Sequence, residues 1–222
     1  MLKMPRRRII KKEDFSREAN FLKDFDMIYF INLEKRKDRL ESILKEVKKI
    51  DPKGVKTTRI EAIKNDNGAI GCGLSHIKTL KEAQKKGYKK ILILEDDFVF
   101  CKPLSVIEKS IESLFKIDFN ICLLSGNINS CKRFEDNIFE ALDVQTTSSY
   151  IIESKFYQTL IDNFEKSVDI MKKEYKYGQA EIDVSWKKLQ GEGKKFYIFN
   201  PKLGKQMTSY SDIEKRITNY NC

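Results

Sequence analysis

KILILEDD, residues Lys90 to Asp97, decides the fold. Ile91, Leu92, Ile93 and Leu94 make an apolar run long enough for one strand buried on both faces, and it ends abruptly in Glu95, Asp96 and Asp97. In open α/β sheets ligands collect beyond the carboxyl ends of the strands. A carboxylate cluster at such an end is therefore where a divalent cation and a phosphorylated ligand meet. Acidic residues also close strands simply as solvated turn starters, and the triplet alone does not separate the two readings.

Upstream, Met27 to Ile31 and Leu33 form a second nearly unbroken apolar run, the expected first strand. The next segment, EKRKDRLESILKEVKKI, carries Leu40, Ile43, Leu44, Val47 and Ile50 at helical spacing, and Asp51, Pro52 and Gly54 close it. A further strand is expected within 55–63. KNDNGAIGCGLSHI then reads as a loop whose Gly68, Gly71 and Gly73 let the backbone approach a ligand, with Ser75 as N-cap of a helix that stops at Gly87. Strand, helix, strand, helix, strand in this order predicts a right-handed, mostly parallel sheet with helices on its faces.

Downstream, Leu104, Ile107, Ile111 and Leu114 mark a helix and 120–124 a short strand. Residues 127–140 lack periodicity and read as a loop or flap. Then follow a strand over 144–152, an amphipathic helix over 155–171, a late strand over 196–199 and a polar tail.

The chain has 222 residues, 41% of them hydrophobic, enough for one substantial α/β domain over 25–215. Residues 1–24 read as a basic arm with one short helix, and 216–222 as a tail. The net charge of +10, partly concentrated in Arg6, Arg7, Arg8, Lys11 and Lys12, favours polyanionic company such as nucleotide phosphates, anionic glycans, nucleic acid or an anionic membrane face. No apolar segment reaches membrane-spanning length, and no signal peptide or retention tail is recognisable. The five cysteines are odd in number and lack CxxC pairs. A reduced, cytoplasmic compartment is expected.

Three features compete for the chemistry. The acidic triplet offers hard oxygen ligands to Mg²⁺ or Mn²⁺. The glycine segment before Ser75 and His76 offers backbone N–H groups and a positive helix end to a phosphate, or is an ordinary capped connection. Arg36 and Arg39, one helical turn apart after the first strand, lie near the carboxyl edge of the sheet, where a planar fork suits phosphate, although neighbouring Lys35 and Lys37 belong to a solvated face. His76 is the only histidine, and no GxSxG elbow accompanies it. On a helix Glu181 and Asp183 splay apart, so only one faces a site. Asp183 is preferred, with Trp186 one turn further on as an apolar wall.

INLEKRKDRLESI (31–43) resembles the opening motif of glycosyltransferase family 25, the lipooligosaccharide and collagen galactosyltransferase family, in its pattern Asn-Leu, two residues, Arg, one residue, Asp-Arg. GAIGCGLSH (68–76) is similar to the family's Gly-Cys-x-x-Ser-His segment, and LILEDD (92–97) to its acidic motif. TSSYIIESKFYQTL, EIDVSW and PKLGKQMTSYSDI resemble its later blocks in order, so that the likeness spans 27–213. The resemblance implies a glycosyltransferase A-type, Rossmann-like fold. It implies a hexosyltransferase of inverting type that uses a UDP-sugar, UDP-galactose or UDP-glucose, with Mn²⁺ or Mg²⁺, and a glycan or glycoprotein acceptor.

Carried onto this chain, the resemblance assigns the metal to Glu95, Asp96 and Asp97, with Asp97 preferred, and the nucleotide end to Asn32, Arg36 and Arg39. It assigns the donor loop to Gly71, Cys72, Ser75 and His76, site closure to Gln206, Ser211 and Asp212, and the catalytic base to Asp183. Ala69 departs from the family, where this position is often acidic. Nucleic acid is not an expected partner. A peripheral contact with an anionic membrane through the basic N-terminus is. The alternatives are a basic module binding anionic glycan or nucleic acid without catalysis, and a metal-dependent phosphohydrolase, for which no nucleophile with a paired base is visible.

Overall fold

The computed structural model describes residues 17–176, 178–211, 213–214 and 216–218. Its core is an eight-stranded sheet built from β1 (Met27–Asn32), β2 (Thr57–Glu61), β3 (Lys90–Glu95), β5 (Ile121–Leu123), β6 (Asn127–Glu135), β7 (Ile138–Gln145), β8 (Ser149–Glu153) and β9 (Phe196–Phe199), in the order β2-β1-β3-β8-β5-β9-β7-β6. Strand β4 (Phe98–Phe100) lies outside it. β1, β2 and β3 run parallel, as do β5 and β9, while β8 and β7 run against their neighbours. The sheet is thus mostly parallel in strand direction, with β8 inserted in reverse between β3 and β5.

Helices α2 (Gly68–Lys85) and α4 (Tyr157–Lys173) cover one face of the sheet. There Tyr29, Ile31, Ile91 and Ile93 meet Leu80, Ala83, Leu160 and Phe164. On the other face α1 (Lys37–Val47) and α3 (Leu104–Leu114) bring Ile43, Val47, Ile107 and Ile111 against Ile28, Phe30, Leu92 and Leu94. Alternate residues of β3 serve opposite cores, which is why its sequence is a continuous apolar run rather than an alternating one. One α/β domain results, and all its long parallel strands deliver their carboxyl ends to the same edge.

Four sequence expectations change. The glycine segment is helix, not loop: α2 begins at Gly68, and Asn67 is its N-cap, accepting from the N–H groups of Ala69 and Ile70. Ser75 is inside that helix, where its hydroxyl donates to the Gly71 carbonyl at 2.6 Å and accepts from the Ile63 N–H. Gly71 and Gly73 serve close packing, because a Cβ would stand 2.7 Å from the Ile63 carbonyl oxygen in one case and 2.8 Å from the Val168 side chain in the other. Residues 127–140 form most of the β6–β7 hairpin rather than a flap. The strand expected over 144–152 is broken by 146–148.

The polar tail also folds. Strand β10 (Gly204–Gln206) pairs with β4, and β11 (Ser209–Ser211) with β12 (Arg216–Thr218). At the other end, the chain packs from Ala19, upstream of the expected boundary, with Phe21 and Leu22 buried in a short 3₁₀ turn and Arg17 paired to Glu108 at 2.6 Å. The basic residues proposed for membrane contact, Arg6 to Lys12, lie outside the described residues. Among the described residues, no helix is long and apolar enough to cross a membrane.

Candidate active site

A cleft of about 830 Å³ opens at the carboxyl edge of β1 and β3. Arg39, Gly71, Cys72, Ser75, His76 and the three acids of 95–97 line it, and Asp183, Gln206 and Ser211 face it from later in the chain. The topology explains the convergence. Strand β3 ends at the edge, α1 and α2 start there, and β10 returns to it by pairing with β4.

At the acidic end of β3 the carboxylates have distinct surroundings. Asp96 accepts from Asn32 Nδ2 at 2.7 Å and pairs with Arg39 at 2.9 Å. Asp97 has longer contacts, 3.1 Å to Arg39 and 3.3 Å to Gln206 Nε2. Glu95 accepts from the Thr147 hydroxyl at 2.8 Å and lies 3.2 Å from His76 Nε2. Burial raises the Asp97 carboxyl, Arg39 opposes this and the neighbouring Glu95 and Asp96 reinforce it, with the result at about 7. Asp96 is raised as well, chiefly by burial. Burial acts on Glu95 in the same direction, but the His76 and Thr147 hydrogen bonds hold it below its ordinary value.

One guanidinium thus faces three carboxylates of which two resist ionisation. This excess of hard oxygen donors over positive charge is what a divalent cation relieves, so the residues fit Mg²⁺ or Mn²⁺.

Asp183 lines the same cleft from a single helical turn, α5 (Ile182–Ser185). Its Oδ2 accepts from the Thr146 N–H at 3.2 Å, and burial pushes its carboxyl up to about 6. Glu181 also lines the cleft, and its carboxylate accepts from the Gly178 N–H and the Tyr175 hydroxyl of the preceding segment. Trp186 is not an apolar wall of the site. Past Ser185 the chain tightens to 3₁₀, and the indole turns into the core against Tyr150, Phe164 and Phe196, with Nε1 donating to the Val144 carbonyl. Trp186→Ala should therefore cost stability rather than chemistry, about 3–5 kcal/mol by denaturant titration.

The residues assigned to the nucleotide end act on the acids and on the C-terminal segment. Asn32 and Arg39 hold Asp96. Arg36 is the N-cap residue of α1 and donates to the Tyr210 carbonyl at 3.0 Å; Arg39 reaches the same carbonyl at 2.9 Å and the Ser209 hydroxyl at 2.7 Å. These two arginines tie the segment carrying Gln206 and Ser211 over the site. Asp212 lies outside the described residues.

Sequence reasoning missed Thr146 and Thr147. Thr146 adopts φ 93, rare for a β-branched residue, and so aims its N–H at Asp183 while Thr147 reaches Glu95. The polar run from Gln145 to Ser149 inside an otherwise strand-like stretch was the available signal.

The family model described as Glycosyltransferase family 25 (LPS biosynthesis protein) matches residues 66–185, from the start of α2 through Asp183. Procollagen galactosyltransferase 2 of Homo sapiens is 32% identical over an aligned segment that spans 34% of this chain and 16% of the relative. The Mus musculus protein of the same name matches with the same identity and coverage. The aligned segment is therefore a small part of these much longer relatives. Among solved structures, A197 from STIV is 12% identical over 87% of this chain and 93% of its own, with a TM-score of 0.46. A glycosyltransferase involved in the glycosylation of the major capsid of PBCV-1 is 9% identical over 72% and 73%, with a TM-score of 0.45. At such scores the fold rests on the sheet topology itself.

Proposed function

The chain belongs to glycosyltransferase family 25, and on that premise we propose that it moves a hexose, galactose or glucose, from a UDP-sugar to a hydroxyl of a glycan or glycoprotein acceptor, with inversion. The observation that carries this reading is that Asp183 and the acidic end of β3 line one cleft, joined through the adjacent Thr146 and Thr147. A base and a diphosphate-binding edge thereby share a cleft in the size range of ligand sites.

Asp183 takes the proton of the acceptor hydroxyl as that oxygen attacks the anomeric carbon. The new carbon–oxygen bond forms while the bond to the diphosphate breaks, and uridine diphosphate leaves with the electron pair. The Thr146 N–H fixes the carboxylate for this role. A divalent cation held by Glu95 and Asp97, with Asp96 beside them, would supply positive charge for the departing diphosphate. Asp97 is the preferred ligand, because its present contacts are longer than those of Asp96. Arg39 keeps the acids in place, and the segment from Gly204 to Ser211 closes the cleft over them.

Incubation with a panel of nucleotide sugars and Mn²⁺, followed by assay of free nucleotide, tests the reading. Release of uridine diphosphate from one hexose donor, dependent on the cation, is expected. Absence of release from every donor, with acceptors supplied, overturns it in favour of a glycan-binding module.

A further inference from the structure

Transfer as described leaves Cys72 and Tyr150 without a role. A thiol is a poor ligand for Mg²⁺ or Mn²⁺, yet this one opens on the cleft beside the single histidine. Cys72 and His76 are four residues apart on α2 and therefore share a helix face, and that face meets the end of β3. One ligand atom each from Cys72, His76 and Glu95 lie within 4.8 Å of one another.

The imidazole is already oriented. Its Nδ1 is 2.9 Å from the Tyr150 hydroxyl, the two rings stack with centroids 5.7 Å apart, and Nε2 is the nitrogen turned to Glu95. A ring nitrogen held by an outer partner while the other faces a carboxylate and a thiol is how proteins prepare a metal-binding histidine.

We infer that Cys72, His76 and Glu95 form a site for a soft divalent cation of the Zn²⁺ class on the inner wall of the cleft. Sulfur, nitrogen and oxygen donors with a fourth position open to the cleft match what zinc accepts. Zinc bond lengths put tetrahedral ligands about 3.5 Å apart; His76 Nε2 and the Glu95 carboxylate are already 3.2 Å apart, so the approach on binding falls chiefly to the Cys72 thiol. The cation replaces the thiol proton, which goes to solvent. Glu95 belongs to both sets, so a soft cation here draws one carboxylate away from the edge that serves the donor. That inhibitory consequence rests on the proposed transfer, whereas the site itself does not.

Cadmium reports the site directly through thiolate-to-metal charge transfer in the ultraviolet, read on the full chain without nucleotide. The wild-type protein should show a tight absorbance phase that disappears in Cys72→Ser and persists in Cys101→Ser, whose thiol is exposed elsewhere. Tyr150→Phe should weaken the phase by about 10–100-fold, as loss of an outer-shell partner does. A tight phase that survives Cys72→Ser, or none in the wild type, overturns the site. An unchanged affinity in Tyr150→Phe overturns the role given to the oriented imidazole. Asp97→Ala, aimed at the donor's cation, should leave the cadmium phase intact, so failure of this site and failure of the transfer reading are told apart.

Discussion

Asp183→Asn should lower the transfer rate by about 10²–10⁴-fold while leaving donor binding close to wild type. The amide keeps the shape of the carboxylate and can still accept from the Thr146 N–H, so the loss reads the proton transfer rather than the fold. The pH dependence supplies an independent check. Burial raises the carboxyl to about 6, so it is protonated and idle as a base below that pH and ionised above it. The rate should therefore rise with pH through about 6, and the variant's residual rate should lack this limb.

Stability moves the opposite way. A carboxyl whose folded pKa exceeds its unfolded value favours the fold when protonated and disfavours it once ionised. Asp183→Asn should consequently gain stability relative to wild type above about pH 6, and the gain should fade toward the ordinary carboxylate range. Full transfer activity in the variant, or a wild-type rate flat through pH 6, would remove Asp183 from the mechanism.

The parts of this protein set by short-range pattern were legible in the sequence. Strand β3 was, because a run with both faces buried must be apolar at every position, and α1 was, because Ile43 and Val47 repeat at helical spacing. The acids were placed correctly at the sheet edge for the same reason. What escaped was set by contacts distant in sequence. The glycines of α2 looked like loop residues, yet Gly71 is small because the Ile63 carbonyl lies where its Cβ would be. Helical spacing put Trp186 beside Asp183, and the short turn's passage into 3₁₀ geometry moved it into the core.

Arg39 was expected to face a phosphate. Its pairing with Asp96 and Asp97 could be read only once α1 had been placed against the end of β3. The same pairing gives the arginine a supporting role, in which it offsets part of the charge that gathers at the edge and leaves the remainder for a cation.

That remainder makes Asp97→Ala the sharpest test of the cation. Asp97 is 3% exposed, and its carboxyl lies at about 7 because burial and the adjacent Glu95 and Asp96 outweigh Arg39. Asp97 held against a dication would stay ionised, so Mn²⁺ and uridine diphosphate should bind together far better than either alone. Removing the carboxylate should weaken Mn²⁺-dependent nucleotide binding by at least the roughly 10–100-fold that loss of an outer-shell partner costs. Calorimetry with and without Mn²⁺ measures this directly.

Asp97→Asn separates site from scaffold. The amide retains the volume and a partner for Gln206 but removes the negative charge, so its melting temperature at neutral pH should not fall while the cation's effect on nucleotide affinity disappears. If both variants bound the nucleotide as wild type does, with the same dependence on Mn²⁺, the acids closing β3 would be a buried charge network held by Arg39 and Asn32, and the cation would have to be sought elsewhere in the cleft.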